Sequence, residues 1–346
     1  MSIGKDSPLG SILVTGATGK VGRRLVSALL EAGQQVTVVA RSTAAARTLW
    51  PGPSVAIRSA DLTDTASLAG LCAGIDTLFH LASYAPRPDE PDIYGAPDHW
   101  PVTAEGTARL MAQVEVSKVR RVVYISSVKA MGDLAGALGR AADESVTPAP
   151  DSLYGRAKLA AERSVLDLGA RLGLHTTVLR LPMVYGVGDS GNIARMAKAV
   201  AARRFPPWPR VANRRSAIHV EDAVAAAMLV AGHAESAGET YFVTDGRDYS
   251  TRWLYEQTLT ALGRPIPSWS IPLWALRAAA ATGTLGERLT GRRMPFTLEG
   301  LRKLVGDAWF SSAKLERQVG FRPRYTLEAE IRRLVRDVAG RSGAQS

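Results

Sequence analysis

A short apolar run, Ile12-Leu13-Val14, passes directly into Thr15-Gly16-Ala17-Thr18-Gly19-Lys20-Val21-Gly22, and a helical pattern follows at once. This feature leaves few folds open to the chain. Glycine at 16 permits a tight turn, glycine at 19 lets a pyrophosphate approach the backbone, and glycine at 22 allows close helix–strand packing. The N-terminus of the following helix offers unpaired N–H groups and a partial positive charge to a phosphate. Glycines serve many turns for conformational reasons alone, but a strand before and a helix after are the context a dinucleotide loop requires. Gly16, Thr18, Gly19, Lys20, Val21 and Gly22 are therefore candidate cofactor contacts.

Brief, mostly apolar runs at residues 11–15, 35–40, 55–58, 77–80, 122–126 and 175–179 read as strands. Between them, residues 20–32, 43–50, 65–72, 102–116 and 152–172 read as helices. This alternation predicts an α/β fold, a doubly wound parallel sheet with helices on both faces. After Gly186 the pattern changes: a helix at 193–202, a proline-rich loop at 205–209, a strand at 216–220, a helix at 221–231 and a last strand at 241–243. From Ser250 onward the chain reads as largely helical. The expected organisation is a nucleotide domain of residues 1–186 plus 217–245, and a smaller, mostly helical C-terminal substrate lobe of residues 187–216 and 246–340.

The end of the second strand bears on which dinucleotide is bound. An NAD site places an acid there for the ribose hydroxyls, whereas an arginine accommodates the 2′-phosphate of NADP. The sequence is Val38-Val39-Ala40-Arg41-Ser42, with no acid. Arg41 favours NADP over NAD.

Tyr154 and Lys158 stand four residues apart at the start of a helix, after the proline-rich loop 147–150. Residues at that spacing share one helical face. A free phenol titrates near pH 10 and is a poor base at neutrality. An ammonium about 4 Å away, at an effective dielectric of about 20, favours the phenolate by roughly 4 kcal/mol before desolvation is subtracted. Lys158 is expected to lower the tyrosine pKa in this way and to hold a ribose hydroxyl. Tyr154 would then exchange a proton with a substrate oxygen while a hydride moves between carbon and nicotinamide. Ser126 and Ser127 end a strand at the side where parallel sheets bind ligands. Ser126 is assigned to the cofactor and Ser127 to orienting the substrate oxygen.

Together these motifs resemble the extended short-chain dehydrogenase/reductases, also described as the NAD-dependent epimerase/dehydratase family. The resemblance implies a Rossmann-type domain and covers nearly the whole chain. By it, Asp61-Leu62 matches the family's adenine contact, with a turn residue as the lesser reading of Asp61. His80-Leu81-Ala82-Ser83 matches the segment under the cofactor, which adds Leu81, Ala82 and Ser83 to the cofactor contacts. Ser127, Tyr154 and Lys158 correspond to the catalytic serine, tyrosine and lysine. The run 180–186 matches the segment bordering the nicotinamide, which adds Leu181, Pro182 and Val184. Residues 218–222 match a strand-to-helix turn; His219 and His80 read as hydrogen-bonded structural residues, and Asp222 as a helix cap. One departure stands out: Thr103 precedes Ala104-Glu105-Gly106-Thr107 where the family often carries asparagine.

The substrate is read from the C-terminal half. Residues 262–265 and 271–275 resemble the hydroxysteroid-dehydrogenase branch, and the insert 84–100, with Trp100, is suited to cover an apolar pocket. The first expectation is an NADP-dependent ketoreductase or alcohol dehydrogenase for a hydrophobic substrate, steroid-like or natural-product-like. Ser127, Tyr84, Met183 and Arg214 are its candidate substrate contacts. The alternatives are a nucleotide-sugar epimerase or dehydratase with tightly held NAD, for which Asn213-Arg214-Arg215-Ser216 resembles a diphosphate-binding segment, and a non-catalytic NADP sensor. Trp269 and Trp274 read either as pocket residues or as packing of the small lobe.

Composition narrows the remaining classes. The formal charge of +11 is spread along the chain without a nucleic-acid-reading module, so no nucleic acid partner is expected. The single cysteine, Cys72, reads as a small buried apolar group, and no Cys/His cluster resembles a metal site. The N-terminal residues, with Lys5 and Asp6, lack a secretory pattern, which points to a cytoplasmic protein. The most apolar region, 271–285, is broken by Pro272 and Arg277, whereas a membrane span needs about 20 apolar residues. Whether 272–285 meets a membrane, the second subunit of a homodimer or only the core stays open.

Overall fold

The computed structural model describes residues 9–87, 90, 92–132, 138–186, 191–291, 294 and 296–343. Lys5, Asp6, residues 88, 89 and 91 of the insert and residues 187–190 of the small lobe lie outside them.

The ten strands of the described residues are β1 (Ile12–Thr15), β2 (Val36–Ala40), β3 (Val55–Ser59), β4 (Thr77–His80) and β5 (Arg121–Ser127), followed by β6 (His175–Leu181), β7 (Met183–Tyr185), β8 (Arg215–His219), β9 (Glu239–Phe242) and β10 (Asp248–Tyr249). Seven form a sheet in the order β3-β2-β1-β4-β5-β6-β9, with every neighbouring pair parallel. The order reverses between β1 and β4. In open α/β sheets that reversal opens a crevice beyond the C-terminal strand ends, where ligands bind.

The helices are α1 (Lys20–Glu31), α2 (Thr43–Leu49), α3 (Gly106–Glu115), α4 (Leu153–Leu172), α5 (Asn192–Ala201) and α6 (Val220–Gly232). In the C-terminal lobe they are α7 (Thr251–Ala261), α8 (Leu273–Thr290), α9 (Leu298–Val305), α10 (Ala313–Val319) and α11 (Leu327–Gly343). All four residues of β1 are buried, because both faces of the sheet are covered. Ile12 and Val14 pack against Leu25, Val26 and Leu29 of α1 and Val224 of α6. Leu13, pointing to the other face, packs with Leu110 and Met111 of α3 and Val165 of α4. The two-residue period of the strand thus feeds two helical layers.

Several expectations need correction. Residues 65–72 do not form a helix; only a short 3-10 turn, Ala66–Leu68, appears. Asp64 accepts from the Ala66 N–H at 3.0 Å, and Gly70 takes a left-handed φ of +69°. Short polar side chains that bond nearby backbone in this way compete with helix. The helix expected at 102–116 begins instead with a π-helical turn, Trp100–Glu105, before α3. β8 does not join the large sheet. It lies between β7 and β10 in a separate three-stranded sheet, so β9 alone of the segment 217–245 pairs with the large sheet.

The small lobe packs around Trp208, Tyr255, Leu259, Leu276 and Leu301. Trp269 and Trp274 do not pack it: they are 62% and 73% exposed, and the buried indole is Trp208. Helix α8 sinks only Leu276 and Ala280 into the lobe. Among the described residues no helix is long and apolar enough to cross a membrane.

Candidate active site

The first turn of α4 is set by its cap. The Ser152 hydroxyl accepts from the Gly155 N–H at 3.1 Å, so the helix starts just before Tyr154. That start places Tyr154, Lys158 and Glu162 on consecutive turns of one face. A Cβ on Gly155 would fall 2.3 Å from the Lys129 carbonyl oxygen, so the absence of a side chain there lets α4 sit against the end of β5. The Tyr154 N–H also donates to the Tyr94 carbonyl at 2.9 Å, tying the insert to the helix.

Burial pushes the Tyr154 phenol up to about 12, with the neighbouring Ser127 hydroxyl working the other way. The sequence expectation that Lys158 would bring the phenol down is not what dominates here. Lys158 is buried, donates to the Ile125 carbonyl at 2.9 Å and sits 4.9 Å from the centre of the Tyr124 ring. Desolvation brings its pKa down to about 8, with the charge of Glu162 working the other way. At neutral pH Tyr154 carries its proton and Lys158 its charge.

Glu162 is the partner that sequence reading missed. Its carboxylate accepts from Ser126 Oγ at 2.5 Å and from Arg180 Nη2 at 2.7 Å. Ser126, assigned to the cofactor, therefore spends its hydroxyl proton on an internal network. His99 was also missed. Its ring lies 4.9 Å from that of Tyr154 and 5.1 Å from that of Tyr84, and Nε2 meets the Ile93 carbonyl at 2.8 Å. Glu162 stands one turn beyond Lys158, where the same four-residue spacing could have found it; His99 reaches the site from a distant part of the chain.

The glycine loop is built for an anion. Gly16 has a φ of +68°, and a Cβ there would meet the backbone of Leu81 and Ala82 at 2.6 Å, so the loop closes onto the end of β4. Gly19 caps α1 without any side-chain hydrogen bond, and at its tip Thr18 and Gly19 are exposed. A Cβ on Gly19 would meet only the Gly16 carbonyl, at 3.3 Å. The N-terminus of α1 thus stays open to a phosphate, and the residues present fit a dinucleotide. Val21 and Gly22 continue the first turn, and Lys20 Nζ donates to the Val184 carbonyl at 3.1 Å.

Around this loop the parallel strands bring the other candidates to one edge. Leu81, Ala82 and Ser83 follow β4, Ser126 and Ser127 end β5, and Leu181, Pro182 and Val184 follow or end β6 and enter β7. Arg41 is exposed after β2 and its charge bears on Asp61. The Asp61 carboxylate accepts from the N–H and hydroxyl of Thr63 at 2.8 and 2.7 Å, hydrogen bonds that hold its pKa low. It is a turn residue at the same sheet edge, followed by Leu62.

His80 and His219 are structural, as their sequence contexts suggest. His80 bridges Thr15 Oγ1 at 2.6 Å and Thr107 Oγ1 at 2.9 Å, and burial drives its pKa down to about 3. His219, rather than Asp222, caps α6, accepting from the Glu221 N–H at 3.3 Å. Asp222 instead accepts from the N–H groups of Arg324 and Tyr325 at 3.0 and 2.9 Å. Thr103, in place of the family asparagine, accepts from the Tyr84 N–H at 3.1 Å and so fixes the start of the insert.

A cavity of about 350 Å³ opens beside this edge, lined in part by Tyr94, Met183 and Arg215. Of the expected substrate contacts Met183 lines it; Tyr84 does not, and its hydroxyl donates to Glu90 at 3.3 Å. Arg214 lies 4.2 Å from the Trp309 ring centre and 3.7 Å from Asp248, and its neighbour Arg215 faces the cavity in its place.

An open glycine loop at a sheet switch point, with serine, tyrosine and lysine gathered across the same crevice, defines an enzyme of the extended short-chain dehydrogenase/reductase type that binds a nicotinamide nucleotide. The chain belongs to the NAD dependent epimerase/dehydratase family, whose pattern it matches over residues 12–244. It is 25% identical to the UDP-glucose 4-epimerase of Vibrio cholerae, across 81% of this chain and 85% of that one. It is 26% identical to a 3-beta-hydroxysteroid dehydrogenase of Mycolicibacterium neoaurum, across 92% and 89%. It is 28% identical to a 2-alkyl-3-oxoalkanoate reductase of Stenotrophomonas maltophilia, across 93% and 98%.

Proposed function

We propose that the protein is an NADP-dependent reductase of a hydrophobic ketone, with Tyr154 as its acid. The observation that carries this reading is the placement of three side chains: Ser127 ends β5, and Tyr154 and Lys158 stand one turn apart on α4, at the same sheet edge as the open glycine loop. The loop 16–22 would hold the nucleotide, with Arg41 toward its 2′-phosphate, and the bound nucleotide would supply hydride for the carbonyl carbon. Ser127 donates a hydrogen bond to the carbonyl oxygen and fixes its position. As the carbonyl π bond breaks, the Tyr154 proton passes to that oxygen, giving the alcohol and leaving a phenolate. Lys158, one turn away and still charged below about pH 8, stabilises that phenolate electrostatically until solvent restores the proton. Read backward, the same path is the oxidation of an alcohol.

The apolar cavity and the similarity to ketone- and hydroxysteroid-processing relatives support a hydrophobic substrate. The test is consumption of NADPH absorbance by purified protein with a panel of bulky ketones. Turnover that disappears in Tyr154→Phe supports the reading. Conversion of a UDP-sugar without net NADPH consumption would overturn it in favour of an epimerase.

A further inference from the structure

The large apolar side chains left in solvent are not scattered. Of the eleven exposed among the described residues, six fall in the stretch from Ile266 to Leu298, on and around α8. Trp274, Ala278, Ala281, Leu285 and Leu289 recur along α8 at intervals of three or four residues, so they share one helical face. All five are exposed. Leu276 and Ala280, which sink into the lobe, lie on the opposite face. Ile266 and Trp269 carry the exposure into the loop before the helix. Folded monomers rarely keep so continuous an apolar surface unless something binds it.

The charges beside this stripe discriminate between possible occupants. Arg277 and Arg288 run along one margin of it, both exposed, and among the described residues neither has an ion-pair or hydrogen-bond partner. Glu287, the single acid of α8, is half-buried, and its carboxylate accepts from the Met294 N–H at 2.9 Å. A second copy docking about a two-fold axis would set the arginines of both copies along one seam, with no exposed carboxylate of α8 to answer them. An anionic bilayer answers both features at once. Tryptophan is enriched where headgroups meet acyl chains, and arginine buries its stem while its fork reaches lipid phosphate. Since α8 is not long and apolar enough to cross a membrane, the matching arrangement is a helix lying in the plane of the interface.

We infer that α8 is an in-plane anchor to an anionic lipid surface, with Trp274, Leu285 and Leu289 entering the acyl boundary and Arg277 and Arg288 on lipid phosphates. The anchor stands apart from the ketone-reductase reading, since it uses none of the residues of that site. Leu276 and Ala280 of α8 pack with Leu301 of α9, whose Gly300 and Leu304 line the cavity. The chamber therefore lies one helix away from the docked face.

The test is cosedimentation of the full chain with vesicles of phosphatidylcholine alone and of phosphatidylcholine mixed with phosphatidylglycerol. The expected result is a Kd at least about tenfold lower for the mixed vesicles, from two arginines against anionic headgroups. Trp274→Ser with Leu289→Ser should weaken that binding at least about tenfold, because the apolar face supplies the insertion. Both side chains stand in solvent, so the melting temperature of this variant should match that of the native chain. Val116→Ser, at an exposed apolar residue outside the patch, should leave binding unchanged. Arg277→Gln with Arg288→Gln should erase most of the preference for phosphatidylglycerol. As a second measurement, brominated phosphatidylglycerol should quench the native tryptophan fluorescence more than that of Trp269→Phe with Trp274→Phe; equal quenching overturns the proposal. Binding to neither vesicle overturns it as well. So does binding that survives Trp274→Ser with Leu289→Ser, which would show that the formal charge of +11 alone draws the lipid. A dimer in analytical ultracentrifugation that the same pair of substitutions dissolves would give the face to a second copy and overturn the lipid assignment.

Discussion

Glu162 grips Arg180 with both carboxylate oxygens, at 3.0 Å to Nε and 2.7 Å to Nη2, in a pair almost wholly removed from water. The pair joins the helix that carries Tyr154 and Lys158 to strand β6, and Ser126 at the end of β5 completes it. Removing one partner of a buried pair strands the other charge, at a cost of about 3–5 kcal/mol. Glu162→Gln is therefore expected to lower unfolding stability by an amount in that range, measured by urea denaturation. It also removes the charge that supports protonated Lys158, so the alkaline limb of activity should move to lower pH.

That limb belongs to Lys158. Reduction needs Tyr154 protonated and Lys158 charged. As pH rises, Lys158 titrates first, near 8, and Tyr154 only near 12. The profile of kcat/KM reports the free enzyme, so it should fall above about pH 8. A limb that begins only above pH 10 would contradict the assignment.

Stability should run the other way. The Lys158 pKa is lower in the folded protein than in the unfolded chain, from 10.5 to about 8. Between those values the unfolded chain binds more protons, so this group makes stability rise with pH across that window. Below it the full cost of burying the charge is present. Lys158→Met, which fills similar space without charge, is expected to be more stable than the native protein at pH 7, to lose the slope between about 8 and 10.5, and to lose activity. Thermal melts at several pH values check the first two.

Arg41→Ala should weaken NADP binding by at least about tenfold while leaving NAD binding within about twofold, the difference of one guanidinium–phosphate contact. Isothermal titration with both nucleotides reads it directly. Equal losses would make Arg41 a bystander.

Gly155→Ala places a carbon 2.3 Å from the Lys129 carbonyl oxygen and 3.0 Å from Cβ of Pro150, a backbone atom and a rigid ring that offer nothing flexible to move aside. Overpacking of this kind costs about 1–3 kcal/mol. Because the displaced turn carries Tyr154, kcat should fall further than stability alone explains, with nucleotide affinity retained.

What sequence made legible was what local spacing encodes. The glycine loop, the two-residue period of β1, and the one-turn interval from Tyr154 to Lys158 each lie within a few residues of chain. Residues 65–72 defeated it because Asp64 and Gly70 compete with helix locally. Tyr94, His99 and Arg180 gather by tertiary packing, and no short motif announces them, whereas Glu162 follows Lys158 at the same one-turn interval. The direction of the Tyr154 shift was misjudged for the same reason: attraction to Lys158 follows from spacing, but desolvation depends on everything folded over the ring. Trp269 and Trp274, which composition would bury, stand in solvent.

Lys20 is fastened to the Val184 carbonyl, in the strand where Met183 borders the cavity. β7 pairs with β8, whose Arg215 borders it too. The small sheet thus ties a wall of the cavity to a lysine of the glycine loop, so that any displacement of β7 would be felt at Lys20.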